Sequence, residues 1–318
     1  MINMKNITIK TLIDNTSANP FIMAEWGLSI YLNINGKKIL FDTGAGNSQV
    51  LVNNMEVMNV NPANIDLLVL SHGHKDHTGG LRNFLRKMNR KDESKNMKII
   101  THPAALKSQY IKNIGSFGLP FTREELEKYG AKFKVSKEPS WITDGIVVSG
   151  EIPMKNNFEK IGEGFYLKFN KKDFDEEKII KEENELGFKT NGDKFVKDKE
   201  LIDDQAIFIK TDLGLIIILG CAHRGIINTI NYAREITGID DIYMVIGGTH
   251  TANASEQRMN STINEIKRMD VKKIGVSHCT GLVSGCKLSR ELGKEIFFHN
   301  NAGSTIKYED DSLKINEF

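Results

Sequence analysis

The sequence predicts an α/β protein built from mixed sheets, and three observations carry that reading. Short apolar runs alternate with amphipathic stretches along all 318 residues. The first half holds a hairpin followed by strand–helix units, and the second half repeats a strand that runs into a histidine and then a helical stretch. Strands and helices alternating at this scale are the pattern of α/β layers. Composition agrees: 40% hydrophobic and 26% charged residues are ordinary for a globular chain, and the length suffices to bury a sizeable core.

In chain order, NITIKTLI (6–13), GLSIYLNI (27–34) and KKILFD (37–42) read as strands, the last two joined by a tight Asn35-Gly36 turn. Residues 47–58 read as helix. IDLLVL (65–70) has no polar alternation, as expected of a strand covered on both faces, and GLRNFLRKM (80–88) has apolar residues at helical spacing. MKII (97–100) and GIVVS (145–149) are strands on either side of a helical TREELEKYG (122–130). From about 170 to 200, charges of both signs crowd together; this reads as a solvated insertion or helical hairpin, with a substrate-covering lid as the sharper alternative. It lacks linker composition, so residues 1–318 are expected to form a single domain.

QAIFIK (205–210) and LGLIIIL (213–219) form another hairpin. IIILGCAH, YMVIGGTH and IGVSHCTG then bring strands to His223, His250 and His278, 27 and 28 residues apart. That interval fits one strand plus a returning helix, so the three are expected as parallel neighbours joined by right-handed crossovers. Their histidines then share one sheet edge, where ligands gather in open α/β sheets.

A formal charge of +2 with no basic face gives no sign of nucleic acid as a partner. The opening MINMKNITIKTLIDN has no signal-peptide h-region, and no apolar run is long enough to span a bilayer; a cytoplasmic protein without a membrane partner is expected. Three scattered cysteines, Cys221, Cys279 and Cys286, fit a reducing compartment better than a disulfide framework.

The chemistry concentrates in SHGHKDHTGG (71–80), which spends three of eight histidines in six residues. His72 and His74, two apart in extended backbone, leave on the same side and form a metal bite. A turn into the helix start at Gly79-Gly80 can direct Asp76 and His77 to a second ion alongside. Nitrogen donors with one carboxylate suit zinc first, with iron(II) or manganese(II) as alternatives. The pairs Gly79-Gly80 and Gly247-Gly248 fit close backbone approach.

The spacing His-x-His-x-Asp-His after a buried strand, preceded by FDTG (41–44), resembles the metallo-β-lactamase superfamily over nearly the whole chain. The resemblance implies an αββα sandwich of two mixed sheets with outer helices, two divalent metal ions at one edge, and Asp42 orienting the metal-binding loop. GLSIYL, FDTGAG, SHGHKDHTGGL, GCAHRGIINT, GGTH and HCTG together are similar to the subgroup that includes a dihydropterin-ribofuranosylaminobenzene phosphate synthase of methanopterin synthesis. The chain departs from the superfamily's common pattern in lacking a Pro-Gly-His-Thr-like turn and a Gly-Asp pair. SGEIP around Glu151 and Gly220-Cys221 stand in their places.

His223 is therefore the choice for the third ligand beside His72 and His74, with Cys221 and Glu151 as rivals; a Cys221 thiolate bridging two ions is a further alternative. His278 joins Asp76 and His77. His250 is left between substrate binding and a supporting role. His102 reads as a capping or surface residue, His299 as near-surface, and Cys279 and Cys286 as small buried hydrophobes.

Two such ions imply hydrolysis of an ester or phosphoester small molecule by a shared hydroxide, with Asp76 as the catalytic residue that accepts its hydrogen bond. The subgroup implies an alternative, a transferase joining a dihydropterin methyl diphosphate to a ribofuranosylaminobenzene phosphate. Phe117, Phe121 and Trp141 are candidate walls for its pocket, although core packing is the first reading of each. A degenerate metal-binding module is the third option, against which the complete set Asp42, His72, His74, Asp76 and His77 stands.

Overall fold

Alternation of side chains along the central strands sets the layering. In Gly214–Leu219, Ile216 and Ile218 face one side and Leu215, Ile217 and Leu219 the other, and all five are buried. A strand apolar on both faces needs cover on both, which explains the unbroken LIIIL run. This is a computed structural model, and it describes residues 1–17, 19–47, 49–88, 96–168, 187–190, 193–309 and 312–316.

Eight strands form the first sheet, in the spatial order Ser312–Asn316, Thr305–Glu309, Ile7–Ile13, Ser29–Ile34, Lys37–Phe41, Leu67–Val69, Met97–Thr101 and Ala131–Val135. Pairing is antiparallel up to Lys37–Phe41 and parallel beyond it. Asn35 and Gly36 have φ of 51° and 81°, the left-handed pair that a two-residue hairpin turn requires. Seven strands form the second sheet: Phe297–His299, Lys273–Ser277, Ile242–Gly248, Gly214–Leu219, Ala206–Thr211, Ile146–Val148 and Ser140–Thr143. Its first four are mutually parallel; the histidine-ended repeats led us to expect this of Lys273–Ser277, Ile242–Gly248 and Gly214–Leu219, and Phe297–His299 joins them.

The two sheets face each other over a shared core. Ile30, Leu32, Phe41 and Val69 of the first pack with Ile207, Ile209, Ile216, Ile218 and Ile246 of the second. Outside the first sheet, Val50–Val57 and Leu81–Met88 contribute Leu51, Met55, Phe84 and Leu85 to a second core. Outside the second lie Ile226–Thr237, Glu256–Arg268 and Leu282–Leu292. The layers are thus helix, sheet, sheet, helix, as the resemblance implied. No helix among the described residues is long and apolar enough to cross a membrane.

A third sheet was not expected. Gly187–Thr190, Asp193–Lys197, Phe165–Lys168, Gln109–Ile111 and Gly115–Ser116 pair antiparallel throughout. The charged segment read at 170–200 falls partly here, with 169–186 and 191–192 outside the described residues. Its described part corrects the helical-hairpin reading: Gly187–Thr190 pairs with Asp193–Lys197 as a β-ribbon. Phe195 is buried between half-buried Lys194 and Val196, a strand alternation hidden by the surrounding charge.

Candidate metal centre

The loop after Leu67–Val69 is held from below by one carboxylate. Asp42, with φ 62°, accepts the Ser71 backbone N–H on Oδ1 at 2.7 Å. Its Oδ2 accepts the Ser71 hydroxyl at 2.6 Å and the His77 Nδ1–H at 2.7 Å. Because the Ser71 hydroxyl donates to Asp42, its oxygen is left to accept Nδ1–H of His72 at 2.8 Å. On the far side, His278 Nδ1–H donates to Asn15 Oδ1 at 2.8 Å. Each of these contacts commits Nδ1 as the donor and leaves the Nε2 lone pair, once free of any proton, pointing away from its support. Gly79 and Gly80 let the loop lie on Ala45 and Thr43, whose carbonyl oxygens would sit 2.1 Å from a Cβ at either position. The expected close backbone approach is therefore present there.

Those lone pairs converge in two groups. His72 Nε2 lies 3.0 Å from His74 Nδ1 and 3.3 Å from His223 Nε2. His77 Nε2 lies 3.3 Å from His278 Nε2, which is 3.2 Å from Asp76 Oδ2. Within each trio the donor atoms are all within 4.8 Å of one another, and every member is buried. Cys221 Sγ stands between the trios, 3.1 Å from His77 Nε2 and grouped with His72 as well. The sequence placed the third histidine of the first trio by spacing, and the strand end Gly214–Leu219 delivers His223 to that position.

Electrostatics fit a cationic guest. Burial pushes His72 and His223 well below the usual imidazole range and brings His74 down to about 3, so all three offer neutral lone pairs. Burial also opposes ionisation of Asp76, but the neighbouring His77 and His278 outweigh it and hold the carboxyl below its ordinary value. Lone pairs facing lone pairs at about 3 Å repel unless a proton or a cation lies between them. Asp76 Oδ1 and His223 Nδ1 are shut away from solvent without a hydrogen-bond partner among the described residues. Two nitrogen-rich donor sets with an orphaned carboxylate oxygen are what a pair of divalent ions would satisfy.

The remaining candidates disperse. Glu151 is not at the centre: it pairs with His102 Nε2 at 3.0 Å and with Lys137 at 3.6 Å. His102 caps as expected, accepting the Ala104 N–H at 3.1 Å, but it is buried rather than on the surface. His299 is half-buried against Phe297 and joins neither trio. Cys279 is buried, whereas Cys286 is exposed, contrary to expectation. On Leu282–Leu292 the buried face runs through Gly285, Leu288 and Leu292, and position 286 is turned about 100° away from it. His250 lies beside the first trio, its ring 4.2 Å from that of His223.

Among the aromatics, Phe117 reaches the centre, 5.6 Å from the His74 ring, instead of packing in a core. Phe121 does pack against the outer core of the first sheet, under Arg82, and Trp141 is 45% exposed beneath Lys210. Sequence reasoning missed Phe165, stacked on His74 at 5.3 Å and 18°, and Trp26, edge-on to His278 at 5.5 Å and 60% exposed. Neither sits in a pattern that marks it; Phe165 arrives on the unexpected third sheet.

Fold and donor geometry together define a metal-site protein of αββα architecture, and the chain belongs to the metallo-β-lactamase superfamily, whose model matches residues 27–197. Over 95% of its length and 97% of the relative's, it is 34% identical to the 7,8-dihydropterin-6-methyl-4-(beta-D-ribofuranosyl)-aminobenzene-5'-phosphate synthase of Methanocaldococcus jannaschii. An uncharacterised protein of the same organism is 32% identical over 92% of this chain and 97% of its own. Among solved structures, Tm1679, described as a metal-dependent hydrolase of the β-lactamase superfamily, superposes with a TM-score of 0.71 at 24% identity. That match covers 96% of this chain and 100% of that one and is a likeness of fold.

Proposed function

We propose that the chain is a dinuclear metal-dependent hydrolase of an ester or phosphoester small molecule, residues 1–318 acting as one domain. The carrying observation is the pair of adjacent trios, His72–His74–His223 and Asp76–His77–His278, with their donor atoms convergent and buried. The first trio would hold one divalent ion and the second the other, with zinc the first choice and iron or manganese the alternatives. Bound there, such ions supply a water acidified toward ~7 and positive charge for an anionic oxygen.

The chain's own groups do the rest. Asp76 stays ionised, and its free Oδ1 can accept a hydrogen bond from the attacking water and aim a lone pair at the substrate. Asp42 fixes His77 and, through Ser71, His72. Cys221 occupies the place between the trios, where its thiol, pushed up by burial and by Cys279 beside it, stays protonated until a cation replaces the proton. Phe165 and Phe117 keep water off the His74 side.

A second reading is a transferase that joins a dihydropterin methyl diphosphate to a ribofuranosylaminobenzene phosphate, the acceptor bonding to the pterin-bound methylene carbon as diphosphate leaves it. It is supported by the 34% identity to the synthase across nearly all of both chains. Phe165 and the exposed Trp26 would also suit a flat heteroaromatic substrate. Purified protein with its metal content measured, assayed against phosphodiesters, carboxylic esters and the pterin diphosphate with its amine partner, separates the two. Hydrolytic turnover lost on His74→Ala is expected. Pterin transfer without hydrolysis would replace the first reading by the second, and fewer than about one bound ion per chain would overturn both.

A further inference from the structure

The strand ends of the second sheet bring together a donor set that belongs to neither trio. Cys221, Cys279 and His250 each offer a ligand atom, and the three atoms lie within 4.8 Å of one another. They come from three consecutive strand ends, Gly214–Leu219, Ile242–Gly248 and Lys273–Ser277, so the parallel register sets them side by side. Both thiols are buried. His250 Nδ1 is closed off from solvent and has no hydrogen-bond partner among the described residues.

The backbone is shaped around this cluster. His250 takes φ 48°, and its N–H points at Cys279 Sγ, 3.3 Å away. A left-handed backbone is strained for a non-glycine residue, and such strain is kept where a site requires it. Position 248 must be glycine for the same cluster: a Cβ there would stand 2.6 Å from Cys279 Sγ. Ordinary burial of two small hydrophobes needs neither the turned histidine nor its unpartnered nitrogen.

We propose that Cys221, Cys279 and His250 form a thiolate-rich site for one soft divalent ion, zinc foremost, beside the dinuclear centre. Two thiols give up two protons as the dication enters, so two thiolates and the ion sum to zero net charge. Neutrality matters because an unpaired thiolate is costly at this depth. Sulfur and imidazole select zinc-class ions over magnesium or calcium, and three protein donors leave a tetrahedral ion one further position. Cys221 Sγ, 3.1 Å from His77 Nε2, makes this site share a wall with the second trio. The site is independent of whether the neighbouring reaction is hydrolysis or transfer.

The test is metal counting with a sulfur-specific readout. Full-length wild type, Cys279→Ser, Cys286→Ser and His74→Ala are stripped with chelator under reducing conditions, reloaded with zinc or cobalt(II), desalted and analysed. Wild type should hold about one ion more than Cys279→Ser, and X-ray absorption should show a zinc–sulfur shell at ~2.3 Å that Cys279→Ser reduces by about half. The thiolate-to-cobalt absorption should survive His74→Ala and Cys286→Ser, although His74→Ala loses ions from the dinuclear centre. Equal ion counts and equal sulfur shells in wild type and Cys279→Ser would overturn the proposal. So would a Cys221–Cys279 disulfide, detected as one free thiol where three are expected in denatured protein purified without reductant. If Cys279→Ser does not fold, a wild-type zinc protein with no sulfur shell overturns it equally, and loss of zinc in His74→Ala tests the dinuclear centre separately.

Discussion

At the scale of single residues, Asp42 is the group on which the centre's order depends, although it touches no reacting atom. It satisfies the Ser71 N–H and hydroxyl and the His77 Nδ1–H, all fully buried. Asp42→Ala would strand these donors and free His77 to choose its other tautomer. Removing such an orienting partner typically weakens metal binding 10–100-fold, so a chelator-competition titration of Asp42→Ala should show a loss of about that size. An affinity within twofold of wild type would sink the assignment. His72, His74, Asp76 and His77 were legible because their spacing along one loop states their geometry, whereas Asp42 was legible only through the resemblance carried by FDTG. Asn15, Phe165 and Trp26 were not, since each meets the centre only after strands far apart in sequence have paired, and nothing local marks them.

At the scale of elements, the segment entering Ala206–Thr211 clamps both ligand-bearing turns. Asp203 Oδ2 accepts Gly73 N–H, between His72 and His74, at 2.9 Å, and Asp204 Oδ2 accepts Arg224 N–H, next to His223, at 2.9 Å. Gln205 adds bonds to Leu70 and Ser71. Burial pushes Asp203 up to about 6 and Asp204 up to about 7. A carboxyl raised in the native state binds more protons there than in the unfolded chain. Its contribution to stability therefore falls as pH rises from the ordinary value near 3.8 toward 7 and levels off above it. Asp204→Asn keeps an acceptor for Arg224 and removes the titration. Relative to wild type it should gain stability from pH 4 to 8, on the order of a few kcal/mol at about 1.4 kcal/mol per pKa unit. Urea-unfolding midpoints at several pH values check this, and a difference that does not vary with pH would refute it. The parallel strands of the second sheet were readable from their regular histidine spacing, and the Asn35-Gly36 hairpin from its turn chemistry. The third sheet was not, because its strands are short, partly charged and stabilised by one another more than by any apolar period.

At the scale of the whole molecule, the two trios fasten the layers to each other. The first joins His72 and His74, after a strand of the first sheet, to His223, at a strand end of the second; the other joins Asp76 and His77 to His278 in the same way. Ions bound at both would stabilise the native state by about 4 kcal/mol each at a thousandfold excess over Kd. Chelation should then lower Tm by on the order of 10 °C or more, at roughly 2–4 °C per kcal/mol for a chain of this class. The pH dependence fixes the sign. Burial opposes charge on His77, but Asp42 and Asp76 outweigh it and raise the imidazole to about 9 in the metal-free chain. There the proton stabilises the fold: the contribution is fully present below the ordinary value of 6.5 and is lost as pH rises through about 9. A metal ion must displace that proton from Nε2, since Nδ1 is committed to Asp42. Between pH 7 and 9, apparent metal affinity at the second trio should therefore rise close to tenfold per pH unit, with about one proton released per ion, while the chelated protein loses stability over the same interval. Competition titrations and proton-release measurements at pH 7, 8 and 9 check both halves. Affinity independent of pH across that range would mean that His77 enters the site already neutral, and that Asp42 orients the ring without charging it.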